Sequence, residues 1–462
     1  MSDNKKKILL VNPDVYSLVS RYTSLSPALN LNDFYPLGLL TLASYMERNG
    51  YEARVLDVSA LRLNDNQAIA AIKEYAPDIV GLTHSVYCSF PPLLNIARFC
   101  KQINPGIITV AGGIMPSYMA GEIVANCEAI DFVIQGEGER PLLRLIQSLS
   151  SGDAFNDIAG LVYKGKNGPL PPPGENDSRA ADFPMPPALI KKLFIASKRL
   201  PYFRRGLSVP IEASRGCRYS CKFCVVSDIS GNAVRYKEPK ALVDELEGYL
   251  AEFGIRIFRF VDSTFTADRG FIYKIMDEIT SRDLQKKIIW GCSTRVDCVD
   301  RQLLKDMKRS GCFGIAFGVE TYSRLDMDYY EKRITPDMIK EAFSLAKEFN
   351  IKTMALFMLN QYRYRDLKGL RGELNRLVVF TKAIKADLFA CAPFVIYPGT
   401  SIYKDCLEKR VINNESWRSL FNGHLVSSSF LPENRLFSLM NRAKLSFLAG
   451  RLLDRLKLTG AS

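Results

Sequence analysis

The stretch SRGCRYSCKFC, residues 214–224, decides how the rest of the chain is interpreted, because it places three cysteines in one short loop. Cys217, Cys221 and Cys224 have the spacing C-x3-C-x2-C. A four-iron cubane needs four ligands, so three thiolates would leave one iron with an open coordination position for a substrate or a cofactor. The loop is therefore predicted to be a metal site.

A zinc site and a metal-free loop both stay open from the residues alone. A structural zinc site takes a fourth Cys or His ligand, and the only histidines of the chain are His84 and His424. Three buried structural cysteines would need no metal, because a buried thiol packs as a small apolar side chain. Such a concentration of thiols in eight residues would be unusual.

The spacing of the three cysteines, with the aromatic Phe223 directly before the last of them, resembles that of the radical S-adenosylmethionine (SAM) enzymes. The resemblance implies a 4Fe-4S cluster on Cys217, Cys221 and Cys224, with the open iron chelated by the amino and carboxylate groups of SAM. It also implies that reduction of the cluster cleaves SAM to a 5'-deoxyadenosyl radical. That radical would abstract hydrogen from an unreactive carbon.

Composition indicates an ordinary globular chain with more than one domain. The chain has 462 residues, 47% of them hydrophobic and 24% charged, which is enough for two or three cores. The apolar run at 8–11 is too short for a signal peptide, and no stretch reaches membrane-spanning length. Together with eleven cysteines, this pattern predicts a cytoplasmic protein that uses thiols for metal ligation rather than disulfides.

The net charge of +13 does not by itself predict nucleic-acid binding. Lys and Arg are scattered through the predicted helices, and no basic-aromatic motif for single strands stands out. We expect a solvated basic surface that helps to attract an anionic substrate or an acidic electron donor such as flavodoxin or ferredoxin. No nucleic-acid partner is expected.

Residues 1–150 alternate short apolar runs with helical patterns. Helices are predicted at 38–49 and 93–102, and the strands at 8–11, 52–58, 78–83, 107–111 and 129–134. Apolar strands separated by helices are typical of a doubly wound, Rossmann-like parallel sheet in an α/β fold. Such a sheet binds its ligand beyond the carboxyl ends of its strands.

The motifs at this edge are YPLGLL at 35–40, the glycine pair at 112–113 and GEGE at 136–139. With the cysteine loop, they resemble the cobalamin (B12)-binding domain that precedes the radical domain in one large subfamily. The implied cobalamin contacts are Pro13, Gly38, His84, Ser85, Gly112, Gly113, Gly136 and Glu137. The Asp-x-His-x-x-Gly signature of cobalt-ligating domains is absent, so a cofactor-free domain and a purely structural His84 stay open.

Residues 151–206 are predicted to be a linker, because GPLPPPG at 168–174 suits neither a helix nor a strand. Within this linker, residues 187–205 are predicted to form a helix and a loop between the two domains. The second domain, residues 207–400, is predicted to have strands at 208–213, 256–261, 287–292, 313–319, 353–359 and 388–396, with helices between them. Six such units predict a partial (β/α)6 barrel of the TIM type. Its site is expected at the carboxyl ends of the strands, where the cysteine loop also lies.

Polar residues after the predicted barrel strands are the candidates for SAM binding. SAM carries ribose hydroxyls, an amino group and a carboxylate that binds Arg or Lys. We predict that Arg295 binds the carboxylate and that Glu320 binds the ribose or the amino group, while Asp262 contacts SAM or orients the barrel rim. The resemblance places Phe223 near the adenine and Gly318 beside SAM. The full candidate set is Phe223, Asp262, Ser293, Arg295, Gly318 and Glu320.

The remaining cysteines and the C-terminal region complete the prediction. Single buried cysteines act as small apolar residues, so one cluster is expected; these cysteines are Cys292, Cys298, Cys312 and Cys391. Residues 401–462 are predicted to be helical, with apolar residues among basic ones at 436–457. We expect this helix to pack on the barrel, and contact with a membrane is the alternative.

The sequence therefore predicts a radical SAM enzyme that acts on a small molecule. The leading function is cobalamin-dependent C-methylation in natural-product, lipid or tetrapyrrole metabolism. In relatives that methylate, one SAM methylates the cobalamin and another supplies the radical. One alternative is a non-methylating dehydratase, cyclase or rearrangement enzyme with a vestigial cobalamin domain. The other is a non-catalytic iron–sulfur or cobalamin sensor.

Overall fold

The computed structural model describes residues 6–13, 36–84, 90–166, 185, 187–195, 208–360, 363, 366–412 and 433–459. Two six-stranded sheets form the centres of two successive α/β domains. The first is a Rossmann-like sheet and the second is a parallel half-barrel, so the predicted fold class is confirmed.

The first sheet has the strand order β2-β1-β3-β4-β5-β6. Its strands are Lys7–Asn12 (β1), Glu52–Asp57 (β2), Ile79–His84 (β3), Ile108–Gly113 (β4), Phe132–Ile134 (β5) and Leu161–Tyr163 (β6). The first five are parallel, and β6 joins the edge antiparallel to β5. The five predicted strands are all present, each buried on both faces as the apolar runs require.

Helices cover both faces of this sheet and connect its parallel strands. They are Leu37–Arg48 (α1), Val58–Leu61 (α2), Asp65–Tyr75 (α3), Phe90–Ile103 (α4), Ile114–Tyr118 (α5), Ala120–Asn126 (α6) and Glu139–Ser151 (α7). The helix α3 begins with a capping box. The Asn64 side chain accepts a hydrogen bond from the backbone N–H of Gln67, and the Gln67 side chain accepts one from the backbone N–H of Asn64.

The predicted linker at 151–206 is partly wrong, because it contains a strand of the first sheet, whereas the helix predicted from residue 187 between the domains is confirmed. Strand β6 extends the first domain beyond residue 150, and the Tyr163 ring packs on Phe132 of the neighbouring strand. Helix Pro187–Leu193 (α8) packs against α1 and a helix of the second domain. The proline-rich stretch at 168–174 lies outside the described residues.

The second sheet has the order β14-β13-β12-β11-β10-β7, with all strands parallel. The strands of this domain are Ser208–Ile211 (β7), the hairpin Ser214–Arg215 (β8) and Arg235–Tyr236 (β9), Ile257–Phe260 (β10), Ile289–Arg295 (β11), Cys312–Glu320 (β12), Lys352–Leu359 (β13) and Leu388–Pro393 (β14). No ladder among the described residues joins β7 to β14, so the barrel is open on that side. The six predicted barrel strands are confirmed.

The described part of the second domain has nine α-helices, and most of them pack on the outer face of its sheet. They are Val226–Ser230 (α9), Pro239–Phe253 (α10), Arg269–Ser281 (α11), Arg301–Arg309 (α12), Arg324–Tyr329 (α13), Pro336–Glu348 (α14), Leu367–Ala383 (α15), Ser401–Glu408 (α16) and Glu433–Thr459 (α17). In α10, Pro239 occupies the first turn and Gly254 ends the helix with φ +65°. Alternate residues of β12 and β13 are buried against the helices, and those between them are partly exposed in the barrel interior.

The C-terminal helix α17 packs on β14 and α15, as the amphipathic pattern predicts. Leu436, Met440, Ala443 and Phe447 are buried, and the Phe447 ring lies 6.0 Å from the ring of Phe389 on β14. Leu448, in contrast, is exposed. None of the helices in the described part of the chain has both the length and the hydropathy that a membrane crossing needs.

Candidate functional site

The cysteine loop leaves the barrel at the carboxyl end of β7 and is shaped by a tight turn at Gly216. Gly216 has φ +96°, and a Cβ there would lie 2.6 Å from the carbonyl oxygen of Ala233. The amide of Cys217 donates to the carbonyl oxygen of Gly231 at 3.1 Å, and the amide of Cys224 donates to that of Cys221 at 2.9 Å. Only glycine fits this turn at the start of the cysteine loop.

The three thiols fit a cubane better than a single metal ion. Burial raises the pKa of Cys224 to about 11 and also raises that of Cys221, and each of these thiols interacts electrostatically with Cys217. Across the described ranges, no three side chains of Cys, His, Asp or Glu are arranged to hold one metal ion. A 4Fe-4S cluster offers each thiolate its own iron, and metal binding drives the deprotonation that ligation requires.

The loop is fastened to the opposite side of the barrel through Lys222 and Phe223. The amide of Lys222 donates to the carbonyl oxygen of Tyr330 at 3.1 Å, and its carbonyl oxygen accepts from Ile402 at 3.2 Å. The Phe223 ring meets the Tyr330 ring edge-on at 5.5 Å. These contacts fix the position of Phe223, and its place beside an adenine stays a prediction.

Arg295 lies at the end of β11 directly beneath the loop, with its guanidinium largely occupied by protein partners. Its Nε and Nη2 donate to the two carboxylate oxygens of Asp297 at 2.8 Å each, and Nη2 also donates to the carbonyl oxygen of Lys332 at 2.6 Å. Its Nη1 lies 3.7 Å from the Sγ of Cys221. The predicted role in binding the SAM carboxylate stays a prediction. Ser293, two residues earlier, shares its face of the strand and is partly exposed.

Glu320 forms a buried ion pair that the sequence does not reveal. Its Oε1 accepts from the Nζ of Lys332 at 2.6 Å. Gly318 makes room for this pair, because a Cβ there would lie 2.8 Å from the Glu320 Oε1 and 3.0 Å from the Lys332 Nζ. Lys332 follows a separate helix, so no local pattern links it to the strand. It is the nearest described cation for a ligand that Gly318 and Glu320 would contact, and that contact stays a prediction.

Asp262 joins the end of β10 to the start of the cysteine loop. Its carboxylate accepts from the Ser214 hydroxyl at 2.6 Å and from the Ala213 amide at 3.4 Å. These bonds match the predicted alternative, in which Asp262 orients the rim. The carboxylate also lines the cavity described below, so contact with SAM stays a prediction.

Burial raises the pKa of Asp262 to about 6. Because the folded state then holds this proton more tightly than the unfolded state, stability falls as pH rises from about 4 to about 6. A shift of roughly two pKa units corresponds to about 3 kcal/mol. We expect Asp262→Asn to remove this part of the pH dependence in urea unfolding of cofactor-free protein. The control Asp277→Asn, on the exposed face of α11, should retain this pH dependence. If the free energy of unfolding of Asp262→Asn changed with pH as in the wild type, the raised pKa would not belong to Asp262.

A cavity of about 350 Å³ lies between the carboxyl edges of the two sheets. The second domain contributes Ser214, Arg215, Gly216 and Asp262 to its wall. Of the residues predicted for cobalamin, the wall contains Gly38, Gly112, Gly113, Gly136 and Glu137. A Cβ on Gly38 would meet nothing within 4 Å, and one on Gly112 only a carbonyl oxygen at 3.8 Å. Glycines and apolar side chains on this face let a ligand approach the backbone closely.

His84 and its neighbours lie behind this wall. His84 is 1% exposed, and neither ring nitrogen has a hydrogen-bond partner within the described ranges. Burial lowers the pKa of His84 to about 4, so the ring is neutral at pH 7. A buried ring with two unpaired nitrogens fits a neighbour to a bound group, and the predicted contact stays a prediction. Pro13 is buried and does not line the cavity, and Ser85 lies outside the described residues.

Substitution of Gly113 tests the backbone conformation of the cavity wall in the first domain. It has φ +104°, and a Cβ there would lie 2.5 Å from the carbonyl oxygen of His84. We expect Gly113→Ala to cost about 1–3 kcal/mol in backbone strain alone, measured as the free energy of unfolding in urea. The matched change Gly112→Ala meets only ordinary contacts and should cost less than half as much. Equal costs at the two positions would contradict the described backbone.

A buried ion network fastens the two domains beside the cavity. The Arg215 guanidinium donates to Glu139 at 2.7 Å and to Glu212 at 2.9 Å, and it lies 3.7 Å from Glu137. Arg235 binds Glu137 through both of its Nη atoms. Although burial alone would raise the pKa of Glu139, the charge of Arg215 holds it below its usual value.

Sequence reasoning assigned GEGE only to the cofactor and missed this network. The pairs that join the two domains are 76 residues (Arg215–Glu139) and 98 residues (Arg235–Glu137) apart in the chain, so only the folded chain reveals them.

A second fastening joins the domains on the other side of the cysteine loop. The hydroxyl of Tyr118 donates to the Asp228 carboxylate at 3.0 Å, and the Tyr118 ring covers Gly399 so closely that no side chain would fit there. Tyr118 belongs to the first domain, whereas Asp228 and Gly399 belong to the second. Both domains thus hold the cysteine loop in place.

Comparison with known proteins agrees with this architecture. The family model "B12 binding domain" matches residues 30–146, and the model "Radical SAM superfamily" matches residues 211–370. An uncharacterised methyltransferase of Pyrococcus horikoshii is 28% identical over 96% of this chain and 92% of its own. An anaerobic magnesium-protoporphyrin IX monomethyl ester cyclase of Synechocystis is 22% identical over 93% of this chain and 83% of its own.

A solved structure shows the same fold. The radical SAM methyltransferase TsrM from Kitasatospora setae, determined with cobalamin and a [4Fe-4S] cluster, superposes with a TM-score of 0.67 at 21% identity, over 88% of this chain and 78% of its own. The two matched families account for the two domains described above, and the cysteine loop lies within the second match. The chain therefore belongs to the radical SAM superfamily and is an enzyme of the group in which a B12-binding domain precedes the radical SAM domain.

Proposed function

We propose that this enzyme transfers a methyl group to an unactivated carbon of a small molecule, with a 4Fe-4S cluster, SAM and cobalamin as cofactors. The observation that carries the proposal is the shared cavity. The wall from the first domain contains the glycines predicted for cobalamin, and the wall from the second domain contains the start of the cysteine loop. A reaction that needs both cofactors requires them to reach one substrate carbon, and a single cavity provides that proximity.

The relatives support methylation as the outcome. The Pyrococcus relative is described as a methyltransferase, and the structural relative TsrM is one as well. The Synechocystis cyclase favours a second candidate, in which the same two domains carry out a radical reaction without methyl transfer. Fold does not separate these candidates, because one architecture supports several chemistries.

The residues of this chain have separate tasks in the proposed reaction. Cluster and SAM supply the radical when they are bound, and cobalamin supplies the carrier for the methyl group. Cys217, Cys221 and Cys224 hold the iron, while the Arg215 network and Tyr118 keep the two walls at a fixed separation. Asp262, with a pKa of about 6, is able to hold or release a proton near neutral pH at the cavity wall.

The partners and the location follow from charge and cysteine content. We infer that a small acidic protein such as flavodoxin or ferredoxin delivers electrons, because the chain carries a net charge of +13. The ten described cysteines are all free thiols, which supports a reducing compartment and thus the cytoplasm.

An anaerobic assay separates the candidates. The protein is reconstituted with iron, sulfide and cobalamin, mixed with SAM and a reductant, and analysed for 5'-deoxyadenosine and S-adenosylhomocysteine. Both products, together with retained cobalamin, are expected for a methyltransferase. Deoxyadenosine alone would favour the second candidate. Neither product from a protein with an intact cluster would contradict both.

A further inference from the structure

We propose that Arg295 raises the reduction potential of the cluster by directing a guanidinium N–H at the sulfur of Cys221, and that Asp297 and Tyr219 position it for this role. The inference rests on the cluster of the proposed function and does not depend on methyl transfer. It differs from the predicted role of Arg295, in which the guanidinium would bind the SAM carboxylate.

The hydrogen bonds of the Arg295 guanidinium fix where its Nη1 points. Nε and one Nη2 hydrogen bind the Asp297 carboxylate in a fork, and Nη2 also binds the Lys332 carbonyl oxygen. These bonds fix the plane of the guanidinium, because a forked Arg–carboxylate pair has a defined geometry. The free edge at Nη1 then faces the Cys221 Sγ at 3.7 Å, a distance that suits a donor to the larger sulfur atom.

An aromatic ring holds the guanidinium from its flat side. The Arg295 Cζ lies 3.9 Å from the centre of the Tyr219 ring, which is the stacked arrangement that Arg favours. The Tyr219 hydroxyl is itself 2.9 Å from the Sγ of Cys298. Tyr219 belongs to the cysteine loop, whereas Arg295 and Cys298 belong to the end of β11 and the turn after it. The cation is thus locked between the strand and the loop that carries the iron ligands.

The position of the charge determines the sign of the effect. Reduction adds one negative charge to the cluster, and hydrogen bonds to the ligating sulfurs together with nearby charge set the potential of such clusters. The Asp297 carboxylate binds the Nε side of the Arg295 guanidinium, and Nη1 lies on the side that faces Cys221. The ion pair therefore presents its positively charged group to the Cys221 sulfur. Lys332 is the other nearby cation, and its charge is compensated by Glu320 at 2.6 Å. Arg295 therefore favours the reduced cluster.

Potentiometric titration of the reconstituted full chain, followed by the EPR signal of the reduced cluster, tests the proposal. We expect Arg295→Gln to lower the ratio of reduced to oxidised cluster about tenfold at a fixed potential, a shift of about 59 mV for one electron. Arg295→Lys keeps the charge but loses the fork, and it should show a smaller shift in the same direction. Arg301→Gln, a surface residue of α12, is the matched control and should leave the midpoint unchanged.

Each outcome decides between the two roles of Arg295. An unchanged midpoint in Arg295→Gln with normal iron content would overturn the proposal. Weaker SAM binding in equilibrium dialysis with an unchanged midpoint would assign the guanidinium to the SAM carboxylate instead. If Arg295→Gln does not hold iron, the shift in Arg295→Lys decides, and no shift there overturns the proposal. A wild-type chain without any cluster would contradict the cluster assignment as well.

Discussion

Cys221→Ala is expected to eliminate both the 4Fe-4S cluster and the formation of 5'-deoxyadenosine. The change leaves Cys217 and Cys224 as the only thiols of the loop, and two sulfurs cannot hold a cubane that already has one open iron. The measurements are iron and sulfide per chain, the charge-transfer absorbance of the thiolate–iron bonds, and deoxyadenosine after addition of SAM and reductant. All three are expected to fall to background.

Cys127→Ala is the matched control for this loss. Cys127 is a half-buried thiol that follows α6 in the first domain, away from the cysteine loop. Its replacement should leave iron content and deoxyadenosine formation at the wild-type level. Retention of the cluster absorbance and of deoxyadenosine formation in Cys221→Ala would show that the iron ligands lie elsewhere.

Arg215→Met is expected to cause the largest loss of stability of any single change at the domain interface. Arg215 is 11% exposed, and its removal leaves the buried carboxylates Glu137 and Glu139 and the half-buried Glu212 with less or no compensating charge. Removal of one partner from a buried ion pair costs about 3–5 kcal/mol. We expect an earlier unfolding transition in urea and loss of bound cobalamin, because the first wall of the cavity is no longer fastened to the second.

Arg282→Met is a matched control with the same number of partners. Arg282 also pairs with three carboxylates, on Asp244, Glu247 and Glu278, but these lie at the surface with 34–54% of their side chains exposed. Solvent screens such pairs, so the change should cost about 1 kcal/mol and leave cobalamin binding intact. Equal effects of the two substitutions would show that the interface does not depend on the buried network.

The sequence predicted those parts of the fold that depend on local patterns. The eleven parallel strands of the two sheets are visible in the sequence as apolar runs, and the cysteine loop follows the first barrel strand as expected. The edge strand β6 is not predicted, because it is short, antiparallel and close to the proline-rich stretch that indicates a linker. Helix α8 confirms the helix predicted from residue 187 between the two domains, although its burial depends on contacts with both of them.

The site was less predictable than the fold, because its contacts cross large distances along the chain. Glu137 was expected to touch a cofactor, yet its carboxylate is bound by Arg235 from the second domain. Arg295 was expected to be available to SAM, yet Asp297, only two residues away, occupies two of its nitrogens. A sequence shows which side chains are able to pair, but the pairs that form depend on how the two domains pack.

The double fastening of the domains also determines how molecules travel to and from the reaction. The Arg215 network and Tyr118 hold the interface on both sides of the cysteine loop, so we do not expect the domains to swing apart in each turnover. The half-barrel is open between β7 and β14, and its interior presents Met354, Leu356 and Met358 as partly exposed side chains. A substrate would then enter and a product leave while the separation of the two domains stays the same.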